Sequence, residues 1–224
     1  MSQSRTHLST GALVAIAIAL GVMVGAAGIY WKASPSGNAL LAESPGSATQ
    51  AECKADSELL ARLKPLAKGE VAAMAVRETA IALPELGFTS EDGVEMSLAD
   101  FSGQALLVNL WATWCAPCRA EMPALSELQS ELGDDGFKVL AVNIDTGDVA
   151  KPAAFLEEIG VANLGLYRDE TMGVFNTLKR EGLAFGLPVT LMIGKDGCML
   201  GGMNGPAEWA SDDAKALVAA LKAG

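Results

Sequence analysis

The sequence predicts an α/β fold in which helices flank a mixed central sheet. Three observations predict it. Apolar, strand-like runs alternate with segments of helical period along the second half of the chain. The chain closes with two apolar runs joined by the turn "KDG" and then a helical segment. A Cys-x-x-Cys pair stands where one buried strand passes into a helix, which places reactive side chains at an edge of the sheet.

The N-terminal segment predicts a membrane anchor. No charged residue occurs from Leu8 to Trp31, and a helix of that length can cross a hydrocarbon core of about 30 Å. Arg5 before it and the aromatic residues at its far end favour an N-terminus on the inside. A cleaved signal peptide is the alternative, and it places the rest of the chain outside the cytoplasm as well. Residues 1–32 are therefore assigned to a cytoplasmic tip and transmembrane anchor.

Residues 33–52 predict a flexible linker, because Pro, Ser, Gly and Ala dominate them without any sustained period. Residues 53–224 form the predicted globular domain with an N-terminal helical extension. The whole chain has a net charge of −11, so its surface would repel nucleic acid, and we expect no nucleic-acid partner.

The elements of the domain follow from their patterns in order. A short amphipathic helix around Leu59 and Leu63 is disturbed by Pro65. A small hairpin turns at Asp92-Gly93 and is followed by the buried strand "ALLVNLWA". The later elements are a helix after the cysteines ending near Gly133, the strand "FKVLAVNID", the helix "VAKPAAFLEEIG", the short strand "ANLGLYRD", the helix "TMGVFNTLKREG", the strands "PVTLMIG" and "CMLGGMN", and the final helix "EWASDDAKALVAALKAG", with Ser211 a competing cap signal inside it.

The cysteine content argues against a metal site. A structural zinc site needs four Cys or His ligands, and the only histidine, His7, lies before the predicted anchor. The same histidine is out of reach for Ser-His-Asp or Cys-His catalysis in the domain. We therefore expect neither a metal nor a cofactor.

Cys115 and Cys118 predict a thiol–disulfide redox centre. Cys115 falls at the start of a helix, where unpaired backbone N–H groups and the helix dipole favour a thiolate. Cys118 lies one turn later and can resolve a mixed disulfide formed by Cys115. An inert structural disulfide between the two is the alternative.

The stretch "WATWCAPCRAEMP", followed at a distance by "GLPVT", resembles the thioredoxin superfamily. The segments "KPLAKGEVAA", "VLAVNIDT" and "GPAEWAS" resemble its membrane-anchored periplasmic branch. The resemblance implies a thioredoxin fold with an inserted helix–strand pair, for which Val149–Arg168 is the surplus. It also implies that Pro188 is a cis proline beside Cys115 and that Trp114 and Leu187 contact the substrate. An edge-strand proline is the alternative for Pro188.

Glu121 stands three residues after Cys118, nearly on the same side of the helix. Ordinary thioredoxins carry a buried aspartate at the position of Asn109, and their reducing periplasmic relatives resemble this chain in placing a glutamate at Glu121. A partly buried carboxyl there has a raised pKa and can exchange a proton with Cys118. A solvated helix glutamate is the alternative.

Cys53 and Cys198 remain, and leftover cysteines in an exported protein usually pair. The resembling branch also has a second, structural disulfide. Two separately buried thiols are the alternative.

The resemblance implies a monomeric, membrane-anchored reductant of partner cysteines on the periplasmic face of a bacterial inner membrane, supplied by an upstream membrane thiol reductant. Its implied partners are disulfide-bearing proteins of cytochrome oxidase copper assembly, such as a copper chaperone or an oxidase subunit. The alternatives are the apocytochrome reductant of cytochrome c maturation, a Cu(I)-binding chaperone and a disulfide-introducing oxidant.

Overall fold

The structure is a computed structural model that describes Cys53 and residues 57–224. The helices of this part are α1 (Ser57–Leu63), α2 (Ala116–Leu132), α3 (Ala150–Glu158), α4 (Gly173–Arg180) and α5 (Asp212–Lys222). The strands are β1 (Ala75–Ile81), β2 (Phe88–Thr89), β3 (Glu95–Met96), β4 (Ala105–Trp111), β5 (Phe137–Asn143), β6 (Tyr167–Arg168), β7 (Val189–Ile193) and β8 (Met199–Asn204). Single turns of 3-10 helix cover Lys64–Leu66, Gly69–Val71 and Leu98–Phe101.

The strands of residues 57–224 form one mixed sheet in the order β1-β8-β7-β4-β5-β6-β2-β3. The pairs β4–β5 and β5–β6 are parallel, and the remaining neighbours are antiparallel. Parallel neighbours need a crossover connection, and α2 and α3 lie in the two crossovers. The alternation of strands and helices in the sequence thus becomes a helix-flanked sheet.

The central strand β4 is buried along its whole length, and its side chains alternate between two apolar cores. Leu107 and Trp111 point to the core that contains α1, α2 and α5, whereas Leu106 and Val108 point to the core that contains α4. Asn109 stands between Leu107 and Trp111 in this alternation and is fully buried. A polar side chain therefore occupies a core position on the strand that leads to the cysteine pair.

The predicted thioredoxin-type architecture is confirmed in its elements. The hairpin β2–β3 turns at Asp92-Gly93, with Gly93 at a φ of 76° that favours glycine. The predicted surplus pair is present as α3 and β6, between β5 and α4. Helix α1 ends at Leu63 and a 3-10 turn containing Pro65 follows, as expected for a residue without a backbone donor.

The start of the last helix was predicted wrongly. The sequence pattern extends the helix back to Glu208, but α5 begins at Asp212. The Ser211 hydroxyl accepts a hydrogen bond from the Ala214 N–H at 3.3 Å, and two acidic residues follow in the first turn. A capping hydroxyl with acidic side chains at the positive end of the dipole outweighs the apolar pattern before it. The segment before Ser211 is therefore not helical.

Strand β1 was not predicted. Its residues show no alternation of buried and exposed positions, so periodicity does not reveal it. It is an edge strand that pairs with β8 through its backbone, with Ala75 opposite Gly202. Pairing of this kind depends on the partner strand and leaves little trace in the sequence.

The predicted anchor, residues 1–32, and the predicted linker, residues 33–52, lie outside the described residues. Within Ser57–Gly224, none of the helices has the length and apolar character needed to cross a membrane.

Candidate redox site

Cys115 caps the N-terminus of α2, directly after the turn that leaves β4. Its Sγ accepts a hydrogen bond from the Cys118 N–H at 3.3 Å, and it is bonded to the Cys118 sulfur across a Cα–Cα distance of 5.3 Å. Pro117 occupies the first turn, where backbone N–H groups have no acceptor within the helix, so the N–H that proline lacks costs no hydrogen bond. In the reduced protein the same amide and the helix dipole favour a thiolate at Cys115.

The two cysteines of the pair differ in exposure. Cys115 is 6% exposed and Cys118 is completely buried. A disulfide on another protein can therefore approach Cys115 and not Cys118. This is the arrangement that an attacking and a resolving thiol require.

The Leu187–Pro188 peptide bond is cis and lies at the same edge of the sheet as the cysteine pair. Val189, the first residue of β7, pairs with Leu110 near the end of β4, from which the cysteine loop emerges. Pro188 is buried, whereas Leu187 is half-buried. The loop before β7 thus borders the entrance to Cys115.

Two exposed aromatic side chains are close in sequence to Cys115 and Leu187. Trp114, next to Cys115, is 64% exposed, and Phe185, two residues before Leu187, is 78% exposed. Asn204 holds the loop before β7 in place. Its Oδ1 accepts from the Phe185 N–H at 2.7 Å, and its Nδ2 donates to the Leu183 carbonyl at 3.2 Å. Phe185 was missed from the sequence, although a phenylalanine beside Gly186 in a loop has little opportunity to be buried.

Glu121 is buried on α2, with 4% of its surface exposed. Its Oε1 accepts from Asn109 Nδ2 at 2.8 Å, and its Oε2 accepts from the Ala207 N–H at 3.1 Å and from Trp209 Nε1 at 3.0 Å. Burial raises the pKa of Glu121 to about 7, and the three hydrogen bonds only partly oppose this. The carboxyl is therefore buried, unlike in the alternative of a solvated helix glutamate, and it titrates near neutral pH.

The donors to Glu121 come from elements that the sequence analysis did not connect with it. Trp209 lies in the segment that Ser211 releases from α5, and its ring is fully buried. In the sequence, Asn109 was considered only because it replaces the aspartate of ordinary thioredoxins. It also donates to Thr190 Oγ1 at 3.0 Å, so β4, β7, α2 and the segment before α5 meet at one polar cluster. We name Asn109, Glu121, Thr190 and Trp209 the buried polar cluster.

Cys53 and Cys198 are bonded, with a Cα–Cα distance of 5.7 Å. Cys198 lies in the turn between β7 and β8, and its N–H donates to Asp196 Oδ1 at 3.0 Å. Strand β7 begins beside Leu110 and ends beside Leu106, so this turn lies at the opposite end of the strand from Pro188. The second disulfide is therefore remote from the first, and the described residues contain no free cysteine.

Metal-ligating side chains are not clustered in the part of the chain that the structure describes: no group of three His, Cys, Asp or Glu side chains there is placed to hold an ion.

Comparison with known proteins places this geometry in a family. The AhpC/TSA family matches residues 80–199. The chain is similar to the thiol-disulfide oxidoreductase ResA of Geobacillus kaustophilus, with 32% identity over 130 residues that cover 57% of this chain and 68% of that protein. It is 36% identical to the ResA of Bacillus thuringiensis over 67 residues, covering 30% of this chain and 39% of that one. The chain thus spans 39% of the length of the first curated relatives it matches.

Among solved structures, the chain is similar to a crystal structure from Chlorobium tepidum that is assigned as a thiol:disulfide interchange protein DsbE. The identity is 26% and the TM-score is 0.52, over 62% of this chain and 94% of that one. The predicted thioredoxin-like fold is confirmed by this likeness. The predicted enzyme class, a thiol–disulfide oxidoreductase, agrees with the names of these relatives.

Proposed function

We propose a function on the premise that this chain belongs to the AhpC/TSA family: it is a thiol–disulfide oxidoreductase that reduces disulfides in partner proteins. The observation that carries the proposal is the unequal exposure of the two bonded cysteines at the start of α2, where Cys115 is 6% exposed and Cys118 is completely buried. The helix N-terminus favours a thiolate and the exposed aromatic side chains can anchor a partner, and neither feature contributes to an inert structural disulfide.

The reduced protein passes two electrons in two exchange steps. The Cys115 thiolate attacks one sulfur of the partner disulfide, which forms a mixed disulfide and releases the partner's other sulfur as a thiolate. The Cys118 thiolate then attacks Cys115 Sγ, which releases the partner's second thiolate and leaves Cys115 bonded to Cys118. An upstream membrane thiol reductant restores the dithiol form by the same exchange.

Glu121 supports the second step. Cys118 is fully buried and must lose its proton before it attacks, yet water does not reach it. A carboxyl whose pKa is raised to about 7 by burial can accept that proton near neutral pH, so a neutral thiol and a carboxylate become a thiolate and a carboxylic acid.

Trp114, Leu187 and Phe185 supply the surface that receives the partner. Exposed aromatic side chains that border a reactive group are typical anchors of protein contacts. The half-buried Leu187 precedes the cis Pro188 bond, so its backbone lies where an extended segment around the partner's cysteine can pair with it. The Cys53–Cys198 disulfide has a structural role at the opposite edge of the sheet.

The direction of electron flow follows from the residues between the cysteines. Ala116 and Pro117 offer no side-chain donor to a thiolate, whereas strong oxidants stabilise that thiolate far more. We therefore propose a reductant rather than a disulfide-introducing oxidant.

The cellular setting of the proposal is the bacterial inner membrane, with residues 1–32 as a single-pass anchor and the catalytic domain in the periplasm. The segments named above resemble TlpA, the anchored thiol:disulfide interchange protein of bacteria, and favour a monomer that prepares cysteine pairs for copper in cytochrome oxidase assembly. Reduction of apocytochrome cysteines is the second candidate, and the similarity to proteins named ResA and DsbE favours it. The enclosed Cys118 argues against a Cu(I) carrier, which needs both thiolates accessible to the ion.

The reduction potential of the Cys115–Cys118 couple tests the proposed direction. We expect equilibration of the full chain with glutathione to give a potential below about −200 mV, nearer to thioredoxin than to the strong oxidants. Thiol alkylation and mass measurement report the fraction reduced at each ratio. A potential near about −120 mV, the value of a strong oxidant, contradicts the proposal.

A further inference from the structure

Asn204, the last residue of β8, ties the loop before β7 to the end of its own strand. Its Oδ1 accepts from the Phe185 N–H at 2.7 Å, and its Nδ2 donates to the Leu183 carbonyl at 3.2 Å. The next residue, Gly205, donates its N–H to the Pro188 carbonyl at 2.9 Å. The loop that ends at the cis peptide bond is therefore held at three points by two consecutive residues.

The two hydrogen bonds of Asn204 do not serve buried groups. Asn204 and Phe185 are both exposed, so water can satisfy the Phe185 N–H and the side-chain amide equally well. What the bonds add is order, because they fix the backbone of a surface loop that would otherwise keep more of its conformational freedom. A loop that is fixed before binding loses less freedom when a partner binds.

Phe185 is the side chain that the fixed loop presents. With 78% of its surface exposed, it is the most exposed large hydrophobic side chain of residues 57–224. It stands three residues before Pro188, and a chain of that length spans at most about 11 Å. The backbone of Phe185 is therefore close to the end of β4 and β7 at which the Cys115 loop emerges.

The chain around this end of the sheet is uncharged over three stretches, although 19% of all residues are charged. The stretches are residues 111–118, 183–188 and 204–207. The first charged residue after the cysteines is Arg119, and its guanidinium lies over the Phe155 ring at 4.7 Å. A partner segment that meets this surface is matched by apolar side chains and not by charges of opposite sign.

We infer that Asn204 is a positioning residue that selects partners, because it fixes the loop that presents Phe185 to an apolar side chain next to the partner's cysteine. The preferred substrate is then a disulfide whose cysteine is flanked by uncharged, apolar residues. The inference rests on the proposed function, since it concerns the partners that Cys115 attacks.

Two short peptides test this selection on the full chain with the Cys115–Cys118 pair reduced. Each peptide has one central cysteine bonded to thionitrobenzoate, and the two positions on each side of that cysteine are leucine in one peptide and serine in the other. The Cys115 thiolate attacks the peptide sulfur, and the bond from that sulfur to thionitrobenzoate breaks. The coloured thionitrobenzoate leaves as a thiolate, and its absorbance gives the second-order rate constant.

We expect the wild type to react several-fold faster with the leucine peptide than with the serine peptide. In Asn204→Ala the rate constant for the leucine peptide is expected to fall about three- to tenfold, and that for the serine peptide by no more than about twofold. Asn163→Ala is the matched control. The Asn163 Nδ2 donates to the Ser126 carbonyl at 2.8 Å, about three turns of α2 beyond Cys115, so its loss is expected to change neither rate constant.

Hydrogen exchange at the Phe185 amide measures the positioning without any disulfide chemistry. In the oxidised protein we expect this amide to exchange at least about threefold faster in Asn204→Ala than in the wild type. Equal exchange in the two proteins overturns the inference, and reaction of the wild type with the serine peptide then still supports the proposed function. If the wild type reacts with neither peptide, the proposed function fails and the selection of partners fails with it.

A double-mutant cycle tests whether Asn204 acts through Phe185. With the leucine peptide, adding Asn204→Ala to Phe185→Ala is expected to slow the reaction by less than about twofold, because no ring remains to be positioned. Losses that multiply mean that Asn204 acts through another group, which overturns the inference. An equal fall with both peptides in Asn204→Ala also overturns it, because the effect then lies at Cys115 and not at the residues that flank the partner's cysteine.

Discussion

At the residue scale, Cys115 and Cys118 are distinguished by access, since 6% of Cys115 is exposed and none of Cys118. We expect Cys118→Ser to accumulate mixed disulfides with partners, because the resolving thiol is absent and Cys115 stays bonded to the partner. Non-reducing electrophoresis and mass spectrometry identify the trapped species. Cys115→Ser is the matched control and is expected to trap nothing. Trapping by Cys115→Ser instead means that the attacking sulfur is Cys118.

Phe185 extends the same experiment. In the Cys118→Ser background, Phe185→Ala is expected to lower the yield of trapped partner several-fold, because it removes an exposed aromatic anchor near the entrance. Val94, 60% exposed in the β2–β3 turn, provides a control of similar chemistry on another element. Equal losses from Phe185→Ala and Val94→Ala contradict a partner-contacting role for Phe185.

Glu121 determines the expected pH dependence of the exchange. Replacement by Gln keeps the volume but removes the proton acceptor, so we expect reduction of a model disulfide to slow by at least about tenfold near pH 7. A carboxylate also raises the pKa of nearby thiols by like-charge repulsion, so the cysteine titration in Glu121→Gln is expected to move to lower pH. The measurement is the pH–rate profile of both proteins. Superimposable profiles mean that Glu121 takes no part in proton transfer.

The cluster around Glu121 shows where sequence reasoning stops at this scale. Cys115, Cys118 and Glu121 were identified because they stand three residues apart in succession at the start of a single helix. Ala207 and Trp209 are 86 and 88 residues away from Glu121, and the chain offers no local pattern that links them. Asn109 is close in sequence, but its role depends on Thr190 and Trp209, which only the folded sheet brings near.

At the element scale, the strands and helices that carry their own periodicity were predictable, and those that depend on a partner were not. β4 and β5 are predominantly apolar runs that are buried at every position except Lys138, and the sequence identifies them directly. β1 is held by pairing with β8 and has no period of its own. The start of α5 was misplaced because the Ser211 cap competes with the apolar residues before it, and geometry decides between them.

The two disulfides belong to different elements and are expected to differ in stability. Cys115–Cys118 lies at the start of α2, whereas Cys198 is 1% exposed in the β7–β8 turn and Cys53 is half-buried. We expect mild reductant to open the first bond and leave Cys53–Cys198 closed, because the helix N-terminus favours the Cys115 thiolate and so makes it the better leaving group. Thiol labelling followed by mass mapping of the peptides measures this. Simultaneous opening of both bonds contradicts the assignment of a structural role to the second.

The same bond has a calculable effect on stability. It joins residues 145 positions apart, and the chain-entropy account gives about 5 kcal/mol for a loop of that length. Replacing both Cys53 and Cys198 by Ala is therefore the control variant: it is expected to lower the unfolding temperature while leaving exchange by Cys115 in the folded protein intact.

At the scale of the whole molecule, Glu121 couples the stability of the domain to pH. Its pKa is about 7 in the folded protein and 4.5 in the reference state, so between these values the folded state binds more protons than the unfolded state. Stability from this group is therefore fully present below about pH 4.5 and is lost as pH rises through about 7. The difference of the two values corresponds to about 3 kcal/mol.

Chemical unfolding of the oxidised protein at pH 5 and pH 8 measures this coupling. We expect the wild type to lose about 2–3 kcal/mol more than Glu121→Gln between the two pH values, because a neutral amide has no charged form to bury. The comparison isolates Glu121, since every other titrating group is common to both proteins and the bonded cysteines do not titrate. Equal denaturant slopes at both pH values are required for the free energies to be compared. Parallel losses in the two proteins mean that folding does not raise the pKa of Glu121, in which case its carboxylate is too weak a base to take the Cys118 proton near neutral pH.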